Sequence, residues 1–401
     1  MNAHILIVAD GRSPTTRSWI QHIQSLGYAL SLISTYPCEP PESLKHFHVL
    51  PIAFSRFSTG SSEKSQPTSK SGSVSLIRRF SPLFQSLRYI LGPLTLLCHA
   101  KAYRKLLHEF KPDLVHALRI PFEGMLASYT PKGIPCLVAT WGNDLTLHAR
   151  GSWLMSMFTR RCLNRANGLT SDTLRDVRLA QTLGLDPIAP TLVVPGSGGI
   201  ALKEIENAPA FDVNRYGLSK TGIWLVNPRG LRPGSVHQDV FFAALPQVIA
   251  RYPNCQIICP SLAGNKQAQD WIDTFQIGDN THLLPRLSQP ELWSLFNKVE
   301  VFISPSSHDG TPNTLLEAMA CGCFPVAGDI ESLREWIENG VNGLLVDPRD
   351  PDLLAKAILK AIEDQTLRQK AAALNKEIIA SRASVSATLP KIQSFYNQFL
   401  V

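Results

Sequence analysis

The sequence lacks any apolar run long enough to cross a membrane. The longest runs, such as YILGPLTLLCHA at residues 89–100, fall well short of the roughly 20 residues that a spanning helix needs. The opening stretch, MNAHILIVAD, has neither a basic region nor a small-residue cleavage site, so it does not read as a signal peptide. Both absences predict a cytoplasmic protein.

The cysteines lack the paired spacing of metal and redox motifs. None of the eight cysteines belongs to a CxxC pair, and Cys321 and Cys323 stand too close together to chelate an ion by themselves. Scattered cysteines in a protein without a secretion signal are typical of buried, reduced thiols. We therefore expect no structural metal and no metal cofactor.

Acidic residues are scarce in the first half of the chain. Residues 1–205 contain 22 Lys and Arg against 12 Asp and Glu, whereas the remainder contains 17 against 20. The net charges are therefore +10 and −3, which add to the +7 of the whole chain. A basic half of this kind indicates an anionic partner: a membrane surface, an acidic acceptor or nucleic acid.

Length and composition describe an ordinary folded protein with more than one domain. At 401 residues the chain is too long for one compact core, and it fits two domains of roughly 200 residues each. The apolar content of 44% and the charged content of 18% are typical of a soluble protein. Strand-like and helix-like segments alternate, which predicts doubly wound parallel sheets.

The most informative stretch reads as a strand, a helix and a second strand. The apolar run 299–303 predicts a buried parallel strand, and a polar turn, SSHDG, follows it. A helix should then begin with Thr311 as N-cap and Pro312 at its first position, and Gly322 should end it. A second strand is expected at 323–327. The loop between the first strand and the helix would lie at the carboxyl edge of the sheet, where such sheets bind ligands.

Two acidic residues flank the predicted helix start. A helix N-terminus offers free N–H groups to a phosphate, and Asp309 and Glu317 could accept hydrogen bonds from sugar hydroxyls. The same spacing also fits a turn aspartate and a solvated helical glutamate. Spacing alone does not decide between these interpretations.

The sequence DGTPNTLLEAMACGCFPVAG, followed by NGVNGLLVDP, resembles the donor-binding motif of the family-4 retaining glycosyltransferases. In that family two glutamates separated by seven residues precede Ala-Met-Ala and a Gly-x-Pro-Val strand. Asp309 stands at the position of the first glutamate and is one methylene shorter, whereas Glu317 matches the second. The resemblance implies retaining transfer of a sugar from a nucleotide diphosphate sugar to an acceptor hydroxyl, without a metal.

The resemblance also implies the GT-B fold, an α/β architecture of two Rossmann-like doubly wound parallel-sheet domains facing a cleft. We expect an acceptor-binding domain at residues 1–198, with a mobile, low-complexity loop at 55–75. A linker at 199–220 would lead into a nucleotide-sugar-binding domain at 221–380. The C-terminal helix at 381–401 is expected to cross back to the first domain.

The segment PRGLRPGSVHQD, in the second half of the chain, carries further residues that match the family's donor-binding residues. Arg229 matches an arginine that grips the donor diphosphate, and Arg232 would assist it. The lysine expected a few residues later is absent, with Ser235 and His237 nearby. The alternative for Arg229 is an ordinary surface cation.

Two segments of the first half are implicated by the same resemblance. Ser13, Thr16, Arg17 and Trp19 match a family string after the first strand, although Ser13 could be a simple helix cap and we expect Trp19 to be a core residue. In TWGND at 140–144, Asp144 is the candidate for an acceptor-side contact, or else a capping residue.

At the position that Trp141 occupies in this chain, some members of the family have a histidine. We therefore assign no histidine base. The catalytic candidates are Asp309, Glu317, Arg229 and Asp144. The donor-binding candidates are Ser13, Thr16, Arg17, Arg229, Arg232, Gly310, Thr311, Pro312, Asn313, Thr314 and Glu317.

A basic amphipathic stretch at 76–111 follows the low-complexity loop. Its apolar residues alternate with Arg78, Arg79 and Arg88, a pattern typical of a helix that rests on an anionic membrane. An interior helix with a solvated basic face would show the same pattern. The charge asymmetry of the chain favours the membrane slightly, in keeping with the many similar enzymes that glycosylate lipid-linked acceptors.

Other functions remain open on the same scaffold. A sugar-nucleotide epimerase or a phosphorylase would share the fold, but no segment suggests the pyridoxal lysine of a phosphorylase. A non-catalytic scaffold or sugar-nucleotide sensor fits the shortened acid at Asp309 and the absent lysine. A nucleic-acid partner is not expected, because no aromatic and basic binding module is visible.

Overall fold

The computed structural model describes residues 3–55 and 81–400 and divides the chain into two units. The first unit comprises residues 1–198 together with 389–401, and the second comprises residues 199–388. Most of the predicted loop at 55–75 lies outside the described residues, as do Arg78 and Arg79. Within the described part of the chain, no helix is both long and apolar enough to cross a membrane.

A parallel sheet forms the centre of the first unit. The described residues give seven strands in the spatial order β3-β2-β1-β4-β5-β6-β7. They are β1 (His4–Ala9), β2 (Ala29–Ser34), β3 (His46–Val49), β4 (Leu114–Ala117), β5 (Cys136–Thr140), β6 (Gly168–Ser171) and β7 (Thr191–Val193). All six residues of β1 are buried, as expected for a strand covered by helices on both faces.

Helices connect these strands. They are α1 (Pro14–Gln24), α2 (Ser81–Phe110), α3 (Met125–Ala127), α4 (Trp153–Arg165) and α5 (Leu174–Thr182). A π-helical turn (Ile120–Gly124) precedes α3, and a 3₁₀ turn (His148–Arg150) precedes α4. Helix α1 buries Trp19 in the core, where 2% of the residue is exposed, so the core prediction for Trp19 is confirmed.

The second unit contains a second parallel sheet, whose described strands run in the order β10-β9-β8-β11-β12-β13. They are β8 (Trp224–Val226), β9 (Gln256–Cys259), β10 (Thr281–Leu283), β11 (Val301–Ser304), β12 (Phe324–Gly328) and β13 (Leu344–Val346). The predicted strands at 299–303 and 323–327 correspond to β11 and β12, which are neighbours in register. Together the two sheets confirm the predicted α/β class with two Rossmann-like halves.

The helices of this part of the chain surround the second sheet and then lead back to the first unit. They are α6 (Leu202–Glu206), α7 (Gln238–Arg251), α8 (Lys266–Phe275), α9 (Gln289–Phe296), α10 (Asn313–Cys321), α11 (Glu331–Arg334), α12 (Pro351–Glu363), α13 (Gln365–Arg382) and α14 (Val385–Asn397).

The segment 199–220, whose composition predicts a linker, belongs to the second unit. Its apolar residues Ile205, Phe211 and Leu218 are buried in the core of that unit. A few apolar side chains can thus anchor a segment whose sequence shows neither the periodicity of a helix nor that of a strand. At the other end of the chain, Phe395 and Tyr396 of α14 pack in the core of the first unit.

The basic face predicted for 76–111 is only partly present in α2. Arg88 donates a hydrogen bond to the hydroxyl of Tyr36, and its guanidinium lies 4.7 Å from the ring centroid of Phe122. Arg88 is therefore held by aromatic neighbours of the first unit and does not belong to a solvated basic face. The exposed cations of this helix lie further along, at Lys101, Arg104 and Lys105.

Candidate active site

The loop between β11 and α10 forms the carboxyl edge of the second sheet. Helix α10 begins at Asn313, with Pro312 as N-cap in an extended conformation, ψ 123°. The prediction that Thr311 is the N-cap is wrong, because Pro312 occupies that position and the helix begins one residue later than expected. The hydroxyl of Thr311 accepts a hydrogen bond from the indole N–H of Trp336 at 2.8 Å. The predicted end at Gly322 is confirmed: this residue has φ 91°, a left-handed conformation that favours glycine.

Arg229 lies at the centre of this edge. One of its terminal nitrogens, Nη2, donates to Asp309 Oδ2, and the other, Nη1, donates to Thr314 Oγ1 at 3.2 Å. The second carboxylate oxygen of Asp309 accepts from the backbone N–H of Gly310 at 3.1 Å. Only 5% of the Arg229 side chain and 12% of the Asp309 side chain are exposed. The interpretation of Arg229 as a simple surface cation is therefore wrong.

Arg232 lies close to this pair. It is exposed, and the positive charge of Arg229 and partial burial lower its pKa to about 10, against the opposite influence of Asp309. Within residues 3–55 and 81–400, the guanidinium of Arg232 makes no hydrogen bond or ion pair. Two neighbouring cations repel each other, and an anion placed between them would remove that repulsion. The arrangement can therefore accept a doubly charged group such as a diphosphate.

Ser235 and His237 occupy the segment where the family lysine is expected. Ser235 Oγ donates to the backbone carbonyl of His308, and His237 Nε2 lies 2.9 Å from Ser307 Oγ. A short antiparallel bridge between Val236 and Ser306 joins the two segments. These residues brace the loop that carries Asp309, a role that the sequence did not indicate.

Glu317 lies inside the second unit, and 3% of the residue is exposed. Burial raises the pKa of its carboxyl to about 7, and a hydrogen bond from Gln289 Nε2 at 2.7 Å acts in the opposite direction. The alternative of a solvated helical glutamate is therefore wrong. The sequence offered no signal for Gln289, because its contact joins two helices 28 positions apart.

The candidates of the first helix, α1, lie in its first turn and at the cap before it. Ser13 is the N-cap and makes no capping hydrogen bond with its side chain. The hydroxyl of Thr16 is buried and has no partner in the described part of the chain. Arg17 donates to the backbone carbonyls of Gly11 at 2.9 Å and Glu39 at 3.0 Å. In this arrangement Arg17 braces the loop after β1.

Asp144 is wholly buried, so no part of its carboxylate reaches a substrate directly. It accepts hydrogen bonds from Arg119 Nε at 2.8 Å and from the backbone N–H groups of Trp141 at 3.1 Å and Ile120 at 3.4 Å. The prediction of a direct acceptor contact is corrected accordingly. Asp144 instead holds the guanidinium of Arg119, whose side chain is 38% exposed to solvent.

A histidine and a tyrosine complete the surroundings of Arg119. Arg119 Nη2 lies 3.0 Å from His148 Nε2, and His148 Nδ1 lies 2.6 Å from the hydroxyl of Tyr89. Burial, followed by the charge of Arg119, lowers the pKa of His148 to about 3. The imidazole is therefore neutral near pH 7 and accepts a hydrogen bond from Arg119. The sequence did not single out Arg119 or His148, because three separate segments bring them together.

The described residues contain no group of three or more His, Cys, Asp or Glu side chains that could hold a metal ion. All eight cysteines are free thiols.

Comparison with known proteins agrees with this geometry. Residues 11–196 match the model of the glycosyl transferase 4-like domain, and residues 236–377 match the model of glycosyl transferases group 1. The fold also matches the crystal structure of Anabaena Alr3699/HepE in complex with UDP, with a TM-score of 0.69, 16% identity and coverage of 99% of this chain and 100% of that one.

Two curated relatives are similar over parts of the chain. The D-inositol 3-phosphate glycosyltransferase of Thermobispora bispora is 28% identical over 249 residues, which is 59% of this chain and 56% of the relative. The phosphatidyl-myo-inositol mannosyltransferase of Mycolicibacterium smegmatis is 30% identical over 135 residues, which is 32% of this chain and 33% of the relative. The chain thus spans between a third and just over half of the length of these relatives.

The two parallel-sheet units and the shared fold define a protein of the GT-B class. Within that class, the chain belongs to the family-4 glycosyltransferases, the glycosyl transferases of group 1.

Proposed function

We propose that this protein is a retaining, metal-independent glycosyltransferase that uses a nucleotide diphosphate sugar. The observation that carries the proposal is the arrangement of Arg229, Arg232 and Asp309 at the start of α10. Two guanidinium groups and the N–H groups of a helix start supply positive charge where a leaving diphosphate would need it. The family models and the fold shared with a UDP-bound protein support the same donor class.

In the proposed reaction the bond between the sugar C1 and the diphosphate oxygen breaks while C1 bonds to the acceptor hydroxyl oxygen. The proton of that hydroxyl passes to the departing phosphate on the same face of the sugar. Arg229 and Arg232 hold the diphosphate, together with the segment Gly310–Thr314 at the helix start. Asp309 accepts hydrogen bonds from hydroxyls of the donor sugar. No protein nucleophile is required.

We assign Glu317 to the ribose of the donor. An ionised carboxylate accepts hydrogen bonds from ribose hydroxyls, and these bonds would replace the solvation that burial removes. Gln289 donates to one carboxylate oxygen, so in this proposal the other oxygen accepts from the ribose. A pKa of about 7 means that donor binding draws a proton from a carboxyl that is partly neutral in the free protein.

We further propose a lipid-linked or glycan acceptor in the synthesis of cell-envelope polysaccharides. The support is the similarity to a phosphatidyl-myo-inositol mannosyltransferase and the basic character of residues 1–205. The stretch 76–111 would then rest on an anionic membrane, with the protein in the cytoplasm or peripheral on the inner face of the membrane. Arg119, backed by Asp144, is placed to contact an acceptor.

A second candidate is a non-catalytic scaffold or a sugar-nucleotide sensor. The observation that favours it is that the family lysine is absent and that the hydroxyl of Ser235, which lies nearby, donates to the carbonyl of His308. Such a protein would bind a sugar nucleotide and release no product.

The test is a thermal-shift and hydrolysis screen against UDP-, GDP- and ADP-sugars, with Glu317→Gln alongside the wild type. We expect one nucleotide class to stabilise the wild type and to be hydrolysed slowly, and we expect Glu317→Gln to lose the stabilisation. Glu300→Gln is the matched control. Glu300 precedes β11 and so lies at the end of that strand opposite the candidate site, and burial also raises the pKa of its carboxyl.

Each outcome of the screen decides between the candidates. Stabilisation with turnover supports the transferase. Stabilisation without turnover, with water or with any acceptor tested, supports the sensor. Stabilisation that Glu300→Gln removes as completely as Glu317→Gln would mean that Glu317 acts through folding, and the assignment to the ribose would be abandoned.

A further inference from the structure

Two buried side chains of one short segment contact the loop that carries Asp309. Ser332 of α11 donates from its hydroxyl to the backbone carbonyl of Asp309 at 2.8 Å. Trp336, two residues after the end of α11, donates from its indole N–H to the hydroxyl of Thr311 at 2.8 Å. One bond therefore holds the main chain of the loop, and the other holds a side chain two positions later. We name Ser332 and Trp336 the clamp.

The clamp has the geometry of a single helical turn. Ser332 and Trp336 are four positions apart, and the backbone N–H of Trp336 donates to the carbonyl of Leu333 at 3.0 Å. Residues four apart lie on one side of a helical turn, so both side chains of the clamp can face the same loop. Leu333, between them, is buried in the core of the second unit and fixes the turn there. One anchored turn thus sets the position of two loop residues.

Trp336 is itself held on its backbone and on its ring. Its carbonyl accepts a hydrogen bond from Asn342 Nδ2 at 2.9 Å. Asn342 is buried and exchanges two further bonds with the buried Asn375, at 2.8 Å and 3.0 Å. The guanidinium of Arg382 lies 4.5 Å from the ring centroid of Trp336. These contacts restrict the indole to the position in which it reaches Thr311, as precise support of a binding site requires.

The loop needs such support because its side chains have a second task. Asp309 pairs with Arg229, and a diphosphate bound by Arg229 would compete for the same guanidinium. Side chains of the loop would then change partners, while its backbone has to stay in place for the ligand. The bonds from Ser332 and Trp336 do not involve Arg229, so they persist through that exchange.

We propose that Ser332 and Trp336 are positioning residues for the donor, which hold residues 309–314 in the conformation that binds the diphosphate. They act through Asp309 and Thr311 and take no part in bond breaking. This role rests on the proposed function, because the ligand that the clamp serves is the donor diphosphate. A selective effect follows: loosening the loop weakens the binding of the phosphate groups that the loop contacts and leaves the binding of the nucleoside unchanged.

The first measurement is amide hydrogen exchange of the full chain without any ligand, in the wild type, Ser332→Ala and Trp336→Phe. Phenylalanine keeps an aromatic ring but has no N–H, and alanine has no hydroxyl, so each variant removes one bond to the loop. We expect exchange in the peptides that cover residues 309–314 to become about fivefold faster in each variant, as the loss of one hydrogen bond gives. Peptides from the first unit should exchange as in the wild type.

The second measurement is calorimetric titration with the diphosphates UDP, GDP and ADP and with the monophosphates UMP, GMP and AMP. For the base that the wild type binds, we expect each clamp variant to weaken diphosphate binding about tenfold and monophosphate binding about twofold or less. The terminal phosphate depends on the loop at 309–314, whereas the nucleoside has contacts elsewhere, such as that proposed for Glu317. A loss of folding alone would weaken the binding of both ligands equally.

Two matched controls remove bonds of the same kind from the first unit. Trp19→Phe removes the indole bond to the hydroxyl of Tyr396, and Ser128→Ala removes the hydroxyl bond to the carbonyl of Met125. Both controls should leave the exchange of residues 309–314 and the nucleotide affinities unchanged, because the bonds they remove do not reach the loop.

A double-mutant cycle separates the indole bond from the packing of the ring. Thr311→Val removes the acceptor of this hydrogen bond, and Trp336→Phe removes its donor. If the indole acts through that hydroxyl, Trp336→Phe weakens diphosphate binding no further once Thr311→Val is present. Additive losses would mean that the ring acts in another way, and the role proposed for Trp336 would be abandoned.

Each remaining outcome decides the proposal. Unchanged exchange at 309–314 in both clamp variants would overturn it, and so would faster exchange with unchanged diphosphate affinity. Equal weakening of monophosphate and diphosphate binding would reduce the clamp to a structural element of the second unit. If the wild type binds no nucleoside diphosphate, the proposed function fails, and the donor role of the clamp fails with it. The exchange measurement contains no nucleotide, so it shows separately whether the clamp holds the loop.

Discussion

Each sheet carries one arginine–aspartate pair at the carboxyl ends of two neighbouring strands. In the first unit Arg119 follows β4 and Asp144 follows β5. In the second unit Arg229 follows β8 and Asp309 follows β11. Both pairs therefore lie at the carboxyl edge of a parallel sheet, although the pair of the second unit lies one strand away from the place that would correspond to the first. The comparison shows how the surroundings of each pair change its exposure.

The pairs differ in which partner reaches solvent. In the first, the arginine side chain is 38% exposed and the carboxylate is 0% exposed, whereas in the second the values are 5% and 12%. A buried carboxylate behind an exposed guanidinium positions a cation for a ligand. If the second pair binds the diphosphate as proposed, its enclosed partners would have to rearrange their hydrogen bonds, and the position of Asp309 would change with ligand binding.

The largest effect should come from Arg229→Lys. We expect the rate of donor hydrolysis to fall about a hundredfold, because lysine cannot make the forked hydrogen bonds that hold Asp309, Thr314 and a diphosphate together. Arg119→Lys is the control from the other pair and should leave hydrolysis unchanged, since it lies in the other unit. Equal losses in the two variants, measured by release of free nucleotide, would remove the distinction between the pairs.

A smaller effect, on stability, should follow Asp144→Asn. The substitution leaves Arg119 without its charged partner and weakens three hydrogen bonds in a fully buried place, so the free energy of unfolding should fall by about 2 kcal/mol. Asp309→Asn should cost less, about 1 kcal/mol, because the side chain of Asp309 is 12% exposed and its carboxylate keeps part of its hydration, whereas that of Asp144 is 0% exposed. Urea unfolding of both variants measures the difference, and a larger loss for Asp309→Asn would reverse the assignment of the two roles.

The smallest effect is a pH dependence of donor binding through Glu317. Its folded pKa of about 7 lies above the ordinary value of 4.5. The protonated form therefore stabilises the folded protein below about pH 4.5, and this contribution is lost as the pH rises toward 7. The donor needs the ionised form, so its affinity should rise by less than about tenfold between about pH 6 and pH 8.

Titration of the donor dissociation constant against pH tests this sign. Glu317→Gln should show no such dependence, whereas Glu300→Gln should keep that of the wild type. A donor affinity that falls as the pH rises would mean that the neutral carboxylic acid, acting as a hydrogen-bond donor, is the binding form.

The parts of the fold that follow local rules were predictable from the sequence. The apolar run before Asp309, the helix end at Gly322 and the burial of Trp19 all depend on residues near each other in the chain, and the structure confirms them. The N-cap was predicted one residue too early, because the helix begins at Asn313 with Pro312 at the cap. The hydrogen bond between Thr311 and Trp336, 25 residues later, was not predictable, because a local rule cannot include a partner that only the tertiary fold supplies.

The same reason explains which site residues the sequence missed. Arg119, His148 and Gln289 stand in no recognisable motif, and their contacts join segments that are 25 to 29 positions apart. Asp144 was found by resemblance, but its burial was not, because burial depends on the segments that cover it. Charge and motif thus locate a site, whereas the packing of neighbours decides which side chain reaches the ligand.

The first unit depends on residues at both ends of the sequence, and this has a consequence for synthesis. The hydroxyl of Tyr396 accepts from the indole of Trp19 at 3.2 Å and lies 2.8 Å from Nδ1 of the buried His116. A ribosome that has made residues 1–198 has therefore not yet supplied the partner of these two side chains. The second unit, at 199–388, is continuous and has been synthesised completely before residue 396 is added. During translation the unit encoded first is thus the one completed last. Until then, apolar side chains of its core stay exposed, and chaperones can bind them.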